Sequence, residues 1–328
     1  MRVLITGGTG FIGSRLALKC LERGDEVRVL AQENTDAERE NRKTVVEAGA
    51  RFISGSVAEV DKVDESVRDI DVVYHLAAAQ HEMHISDQVF WDVNVAGTKN
   101  VLDASLEAGV KRFVHGSTIG VYGSLEGEIS EESPCNPDNI YGVTKLEGER
   151  LALSYQKKIP ITVIRISEVY GAADRRLLKL FKGIKKKVFF VIGSGKNLHH
   201  LVFIDDLIKG FFLTTQSEKA LGQVFLLSGK KPVTTSEMVE TIAHELGVGA
   251  PKLKLPLYPF LFSAMIMELT LRPLGIQPPL HRRRMDFFRK SFSLSARKSR
   301  EILGFEPDYS FGEGVAKTIR WYEENGFL

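Results

Sequence analysis

Residues 3–13 read Val3-Leu4-Ile5-Thr6-Gly7-Gly8-Thr9-Gly10-Phe11-Ile12-Gly13. An apolar run leads into glycines spaced Gly-x-x-Gly-x-x-Gly, and the apolar period then changes. Over residues 11–23, Ile12, Leu16 and Cys20 fall on one helical face, Ala17 and Leu21 lie beside them, and Gly24 ends the run. Strand, glycine loop and helix in that order make a phosphate cradle. Gly7 permits the tight turn, Gly10 lets backbone approach a pyrophosphate, and Gly13 lets helix and strand pack closely. The helix N-terminus then offers free N–H groups and a positive dipole end. A glycine triplet alone is a common turn, but in this context it predicts a dinucleotide site lined by Gly7, Thr9, Gly10, Phe11, Ile12 and Gly13.

The alternation continues. Residues 27–30, 51–53, 72–76, 112–116 and 162–166 read as further strands, with helical stretches between them. That pattern predicts an α/β fold, a Rossmann-type doubly wound parallel sheet with a smaller C-terminal substrate domain. After about residue 170 the pattern loosens. Residues 1–170, with a returning segment at 196–228, are expected to form the dinucleotide-binding domain. Residues 171–195 and 229–310 are expected to form the substrate-binding domain. Ser310-Phe311-Gly312-Glu313 reads as a capping box opening a C-terminal helix within 311–328.

The 328 residues carry 44 basic and 42 acidic side chains, a balance that gives no case for a nucleic-acid partner. The two cysteines, Cys20 and Cys135, have no metal-type spacing, so neither a disulfide framework nor a metal site is expected. Residue 1 runs straight into the first strand, without the longer apolar stretch of a secretory signal. No run of about 18 uncharged apolar residues occurs. A cytoplasmic location fits these features.

Tyr141-Gly142-Val143-Thr144-Lys145 places a phenol and an amine one helical turn apart. A free tyrosine has a pKa near 10, too high for a base at neutral pH. A nearby ammonium favours the phenolate, so Tyr141 can exchange the proton of a secondary alcohol while hydride moves to or from a nicotinamide. Thr118 and Ser117, at the end of the strand that begins at 112, supply hydroxyls to orient the substrate oxygen.

These segments together resemble the extended branch of the short-chain dehydrogenase/reductase superfamily, the NAD-dependent epimerase/dehydratase family, over essentially the whole chain. In register with Val121-Tyr122-Gly123, Thr118 takes the place of the triad hydroxyl and Ser117 flanks it. The resemblance implies that Leu76, Ala77, Ala78 and Ile166 line the cofactor, with Glu168 beside the nicotinamide. Asn94, in Asn94-Val95-Ala96-Gly97-Thr98, resembles a helix start that supports the catalytic lysine. His75 reads as a packed strand residue, and Asp205 and Asp206 as structural groups bonding backbone. A homodimer formed through a two-helix face is implied as well.

Cofactor choice turns on Leu30-Ala31-Gln32-Glu33. An acid after the second strand selects NAD, and a cation there selects NADP. Ala31 holds the acid's place and Gln32 can bond either ribose, so both cofactors stay open, and the lack of a fixed cation favours NAD. Ser56 and Val57 stand where the family has an adenine-contacting Asp-Leu.

The substrate is a small molecule. Nucleotide-sugar enzymes of the branch hold a diphosphate with an Asn and an Arg at the positions that read Glu168 and His199 here, and a carboxylate and an imidazole are poor replacements. Gly193-Ser194-Gly195-Lys196-Asn197-Leu198-His199-His200 is similar to the 3β-hydroxysteroid and sterol dehydrogenases. The expected reaction therefore interconverts a secondary alcohol and a ketone on a lipophilic substrate. A nucleotide-sugar epimerase or dehydratase and a non-catalytic dinucleotide sensor are the alternatives. Residues 255–267 are uncharged and are followed by Arg272 and His281-Arg282-Arg283-Arg284. They fit a core helix, a pocket wall or peripheral membrane contact across 255–290.

Overall fold

The computed structural model describes residues 1–80, 86–125, 127–271, 276 and 278–328, and the backbone alone of Arg283. The strands are β1 (Arg2–Thr6), β2 (Glu26–Ala31), β3 (Arg51–Ser54), β4 (Val72–His75), β5 (Arg112–Thr118), β6 (Ile161–Ile166), β7 (Glu168–Tyr170), β8 (Leu201–Phe203) and β9 (Val224–Leu227), with a few two-residue bridges besides. Seven of them form one sheet in the order β9-β6-β5-β4-β1-β2-β3, every neighbouring pair parallel. β7 and β8 pair separately, also in parallel. From β1 the chain winds outward through β2 and β3, then returns to β4 on the other side. The crevice at the carboxyl ends of β1 and β4 is where such sheets bind ligands.

Alternation within β1 shows why the sheet needs two helical layers. Val3 and Ile5 join Leu16, Ala17 and Cys20 of α1 (Phe11–Glu22) in one core. Leu4, between them, joins the opposite core with Val63 and Val67. That second layer comprises α3 (Val60–Val67), α4 (Asp87–Trp91), α5 (Gly97–Glu107) and α6 (Ile140–Ser154), while α2 (Asp36–Glu47) lies beside α1, its Val45 in the first core. Asn94 does not start a helix as expected: it lies in a π turn, Asp92–Ala96, that joins α4 to α5.

The remaining helices are α7 (Leu178–Lys185), α8 (Ile204–Gln216), α9 (Thr235–Glu245), α10 (Leu257–Leu271), α11 (Arg282–Arg289), α12 (Arg297–Leu303) and α13 (Phe311–Glu324). α8 covers α1, and Asp206 in its first turn accepts from the backbone N–H of Asp308 at 2.7 Å and of Tyr309 at 3.3 Å, the structural role expected of it. Asp205 lies 3.6 Å from Arg15. The Ser310 hydroxyl caps α13 in a capping box with Glu313. Val315, Ile319 and Tyr322 of α13 join Val239 and Ile242 of α9 in the core shared with β1. Among the described residues no helix is long and apolar enough to cross a membrane.

Candidate active site

The glycine loop closes the crevice. Gly7 has φ +71°, and a Cβ there would lie 2.8 Å from the backbone nitrogen of Ala77. A Cβ on Gly13 would lie 2.3 Å from the Gly7 oxygen, so this glycine packs on the loop itself rather than on the strand. Gly10 donates its N–H to the Gly7 carbonyl at 3.0 Å and is the N-cap of α1 without a side-chain cap. Side chains cap α2, α6, α9 and α13, whereas the first turn of α1 keeps its N–H groups for a ligand.

The cleft beside this loop has a volume of about 310 Å³. Its walls bring together Gly7, Thr9, Gly10, Phe11, Ile12, Gly13, Leu76, Ala78, Ser117, Tyr141, Lys145 and Ile166. Gln32, Ser56, Val57, Ala77, Asn94, Thr118 and Glu168 are not among its wall residues. Gln32 is exposed, and its carbonyl accepts from Thr9. Val57 is buried against Gly97, and the Ser56 hydroxyl accepts from the Ala58 N–H. The hydrogen bonds of the Asn94 side chain go elsewhere than to Lys145. Its Oδ1 accepts from Ala79 N–H at 2.8 Å and its Nδ2 donates to Thr144 at 3.0 Å, tying the loop after β4 to the helix that carries the lysine.

Asn139 caps α6 by accepting from Gly142 N–H at 3.0 Å. Tyr141 therefore sits in the first turn, at the positive end of the helix dipole, which favours a phenolate. Its oxygen accepts from Gln80 Nε2 at 3.4 Å. Lys145, one turn on, is buried and donates to the Gly116 carbonyl at 2.6 Å. Burial lowers its pKa to about 8, against an opposing pull from Glu149. Thr118 accepts from Gly120 N–H at 3.1 Å, which leaves its own proton to donate.

His75 is fully buried, as expected of a packed strand residue. The Thr6 hydroxyl accepts from Leu76 and Ala77 N–H, so its proton goes to His75 Nδ1, 2.8 Å away. The ring is then the Nε2–H tautomer, donating to Thr98 at 2.9 Å. Burial, and then the charge of Lys145, depress its pKa to about 3, which excludes it as a base at neutral pH.

Glu168 and His199 stand together: Oε2 and Nδ1 are 3.0 Å apart. The Thr235 hydroxyl donates to Asn197, so His199 Nε2 donates to Thr235, 3.1 Å away. The His199 ring packs 4.6 Å from Phe287, centroid to centroid.

Sequence reasoning missed Arg176. Its guanidinium is held by Asp174 at 3.0 Å and the Val169 carbonyl at 2.7 Å, and it lies 5.2 Å from the Phe11 ring centroid. It lines the same cleft as the glycine loop. Thr35, Glu38 and Asn41 were missed too and form the far end of the cleft. The Thr35-x-x-Glu38 capping box was readable in the sequence; its place beside the loop was not.

Comparison with known proteins agrees with this architecture. The model of the NAD dependent epimerase/dehydratase family matches residues 3–227. The chain is 29% identical over 342 residues to a dTDP-glucose 4,6-dehydratase of Streptomyces antibioticus, covering 99% of this chain and 93% of that one. It is 26% identical over 344 residues to 3beta-hydroxysteroid-dehydrogenase/decarboxylase isoform 2 of Arabidopsis thaliana, covering 96% of this chain but 61% of that longer relative. Among solved structures, UDP-glucuronic acid 4-epimerase of Bacillus cereus in complex with NAD superposes with a TM-score of 0.79 at 26% identity, covering 99% of both chains.

Proposed function

The chain belongs to the NAD-dependent epimerase/dehydratase family of extended short-chain dehydrogenases/reductases, and from that premise we propose that it interconverts a secondary alcohol and a ketone on a lipophilic small molecule. The observation that carries the choice of substrate is the Glu168–His199 pair. A diphosphate is held best by the fixed, bidentate positive charge of a guanidinium, and here an imidazole bonded to a carboxylate stands instead. Phe287 adds an apolar ring against the imidazole.

The glycine loop and the uncapped N-terminus of α1 fit the pyrophosphate of NAD, which supplies the hydride acceptor or donor when bound. In the oxidative direction Tyr141 takes the hydroxyl proton as hydride leaves the carbinol carbon. Lys145, one turn from Tyr141, would hold positive charge near the phenol and bond the nicotinamide ribose when NAD is bound. Thr118 donates to the substrate oxygen. Residues 1–170 and 196–228 would hold the cofactor and 171–195 and 229–310 the substrate, with α5 and α6 as the face of a homodimer. Among the described residues the cations nearest in sequence after β2 are engaged, Arg39 with Asp36 and Arg42 with Glu33. This supports NAD over NADP.

The test is a panel of 3β-hydroxysteroids and long-chain secondary alcohols with NAD. Net formation of reduced nicotinamide that falls at least about 100-fold in Tyr141→Phe supports the reading. Full turnover in that variant would sink it. The second reading, a nucleotide-sugar epimerase or dehydratase, draws on Arg176, a guanidinium in the cleft, and on the relatives of that activity. Conversion of a UDP- or dTDP-sugar with no net nicotinamide reduction would establish it instead.

A further inference from the structure

Of the thirteen exposed large hydrophobic side chains among the described residues, seven lie between residues 253 and 276. Most belong to α10. Tyr258, Phe262, Ile266 and Leu269 are 81%, 61%, 43% and 68% exposed, and their spacing of four, four and three puts them in one stripe. The inner side of α10 is apolar too: Phe260, Leu261 and Ala264 pack with Ile192 and Met285. An ordinary surface helix would present charge outward, and this one does not. At 1.5 Å per residue its fifteen residues extend about 22 Å. That is short of the roughly 30 Å of a hydrocarbon core, so a bilayer contact would lie in the plane of the surface.

Charge accompanies the stripe. Residues 251–290 contain eight Lys or Arg against two acids, a net of +6, while the whole chain carries +2, which leaves −4 elsewhere. Both acids are already engaged, Glu268 by Arg282 and Asp286 by Arg289 and Lys290. Lys252, Lys254 and Arg284 are exposed, with no acidic partner among the described residues. Arg272 and the side chain of Arg283 lie outside what is described. A second copy of this chain docking face to face would bring like charges together. Anionic headgroups above an acyl layer complement both the stripe and the cations.

We propose that the outer face of α10 docks in the plane of an anionic lipid bilayer. Tyr258, Phe262, Ile266 and Leu269 enter the acyl boundary, and Lys252, Lys254 and Arg284 meet the headgroup phosphates. α11 lies directly beneath, and its Phe287 touches His199, so docking turns the Glu168–His199 side of the molecule toward the membrane. The docking does not depend on the catalytic reading and is measured without substrate.

The experiment is co-sedimentation of the full chain with vesicles of phosphatidylcholine and phosphatidylglycerol in equal parts, and with phosphatidylcholine alone. Binding is expected to the mixed vesicles, at least about tenfold weaker to the neutral ones, and reduced by added salt. The double variant Phe262→Asp/Leu269→Asp should lose at least about tenfold in binding while its melting temperature and NAD affinity match the parent. Absence of binding to the mixed vesicles, or equal binding by the variant, overturns the proposal. So does a variant that shifts the oligomer to monomer by light scattering with no vesicle binding in the parent, which would give the stripe to a second copy.

Discussion

The hydroxyl of Ser117 donates to Glu149 Oε2 at 2.6 Å, in a site where both residues are buried. Ser117 is thus committed to the scaffold, although it sits beside Thr118 at the end of β5. Thr118 uses its oxygen to accept from Gly120 and keeps its proton. Two adjacent hydroxyls that look alike in sequence are separated by their hydrogen bonds. Thr118→Ala should lower kcat/KM by about 10- to 100-fold and Thr118→Ser should restore most of it. Ser117→Ala should change kcat/KM less than about threefold while lowering stability by about 1 kcal/mol. Steady-state kinetics and urea melts on the three variants decide this, and a larger kinetic loss in Ser117→Ala would reverse the assignment.

Beneath Ser117, Glu149 forms a buried ion pair with Arg165 at 2.6 Å, and Arg165 also donates to the Tyr122 hydroxyl at 2.6 Å. Removing one partner leaves an uncompensated charge in a poorly solvated site. Glu149→Leu alone should cost about 3–5 kcal/mol, and Glu149→Leu combined with Arg165→Met distinctly less than the sum of the two single changes. Denaturant melts of the four-protein cycle measure the coupling, and simple additivity would contradict the pairing.

Lys145 shows what burial of a functional cation costs. Its folded pKa of about 8 lies below the ordinary 10.5, so the folded state binds its proton less tightly than the unfolded state. Below about pH 8 both states are protonated and the full cost is present. Between about 8 and 10.5 the folded state deprotonates first and the cost is relieved. Lys145→Met should therefore stabilise the protein at about pH 7 by about 1–3 kcal/mol, a gain that shrinks as pH approaches 10, while activity is lost. Melts across that range, with NAD turnover measured alongside, test both halves.

The legible part of this molecule was local in sequence. The loop from Gly7 to Gly13, the Tyr141–Lys145 pair and the Ser310–Glu313 cap each announce themselves within a few residues, and the first six sheet strands follow from apolar runs between helical periods. β9 did not: Val224–Leu227 is a four-residue apolar run after a region of lost periodicity, and such runs do not distinguish strand from helix. The helix start expected at Asn94 rests on family resemblance alone, and a π turn has no sequence period of its own to correct it. Arg176 was unreadable because its role comes from facing Phe11, 165 residues away in the chain.

Arg176 should act on the cofactor. It lines the cleft beside Phe11 at the uncapped N-terminus of α1, where a pyrophosphate would lie, and Asp174 holds it in place. Arg176→Ala should weaken NAD binding by about 5- to 50-fold and lower the melting temperature, because buried Asp174 loses its partner, with smaller losses of both kinds for Arg176→Lys. Calorimetric titration with NAD reads the effect directly. Unchanged NAD affinity with a raised KM for substrate would move Arg176 to the substrate side and strengthen the nucleotide-sugar reading.

Acid should unfold this protein through the centre of its sheet. His75 and His115 are neighbours on β4 and β5, ring centroids 5.4 Å apart, and both are fully buried. Burial lowers the pKa of His75 to about 3 and that of His115 well below the ordinary 6.5, with Lys145 adding to both. Below about 6.5 the unfolded chain takes up protons that the folded sheet refuses, so stability falls as pH drops, by roughly 1.4 kcal/mol per pH unit for each histidine until its folded pKa is reached. Above about 6.5 neither residue contributes any pH dependence. The two are distinguishable because His75 bridges Thr6 and Thr98. His115→Leu should flatten part of the acid slope without loss at neutral pH. His75→Leu should flatten it equally and yet cost about 2 kcal/mol at neutral pH, because two buried hydroxyls lose their partner. Urea midpoints between about pH 4 and 8 separate the two effects, and an unchanged acid slope in both variants would place the acid sensitivity elsewhere.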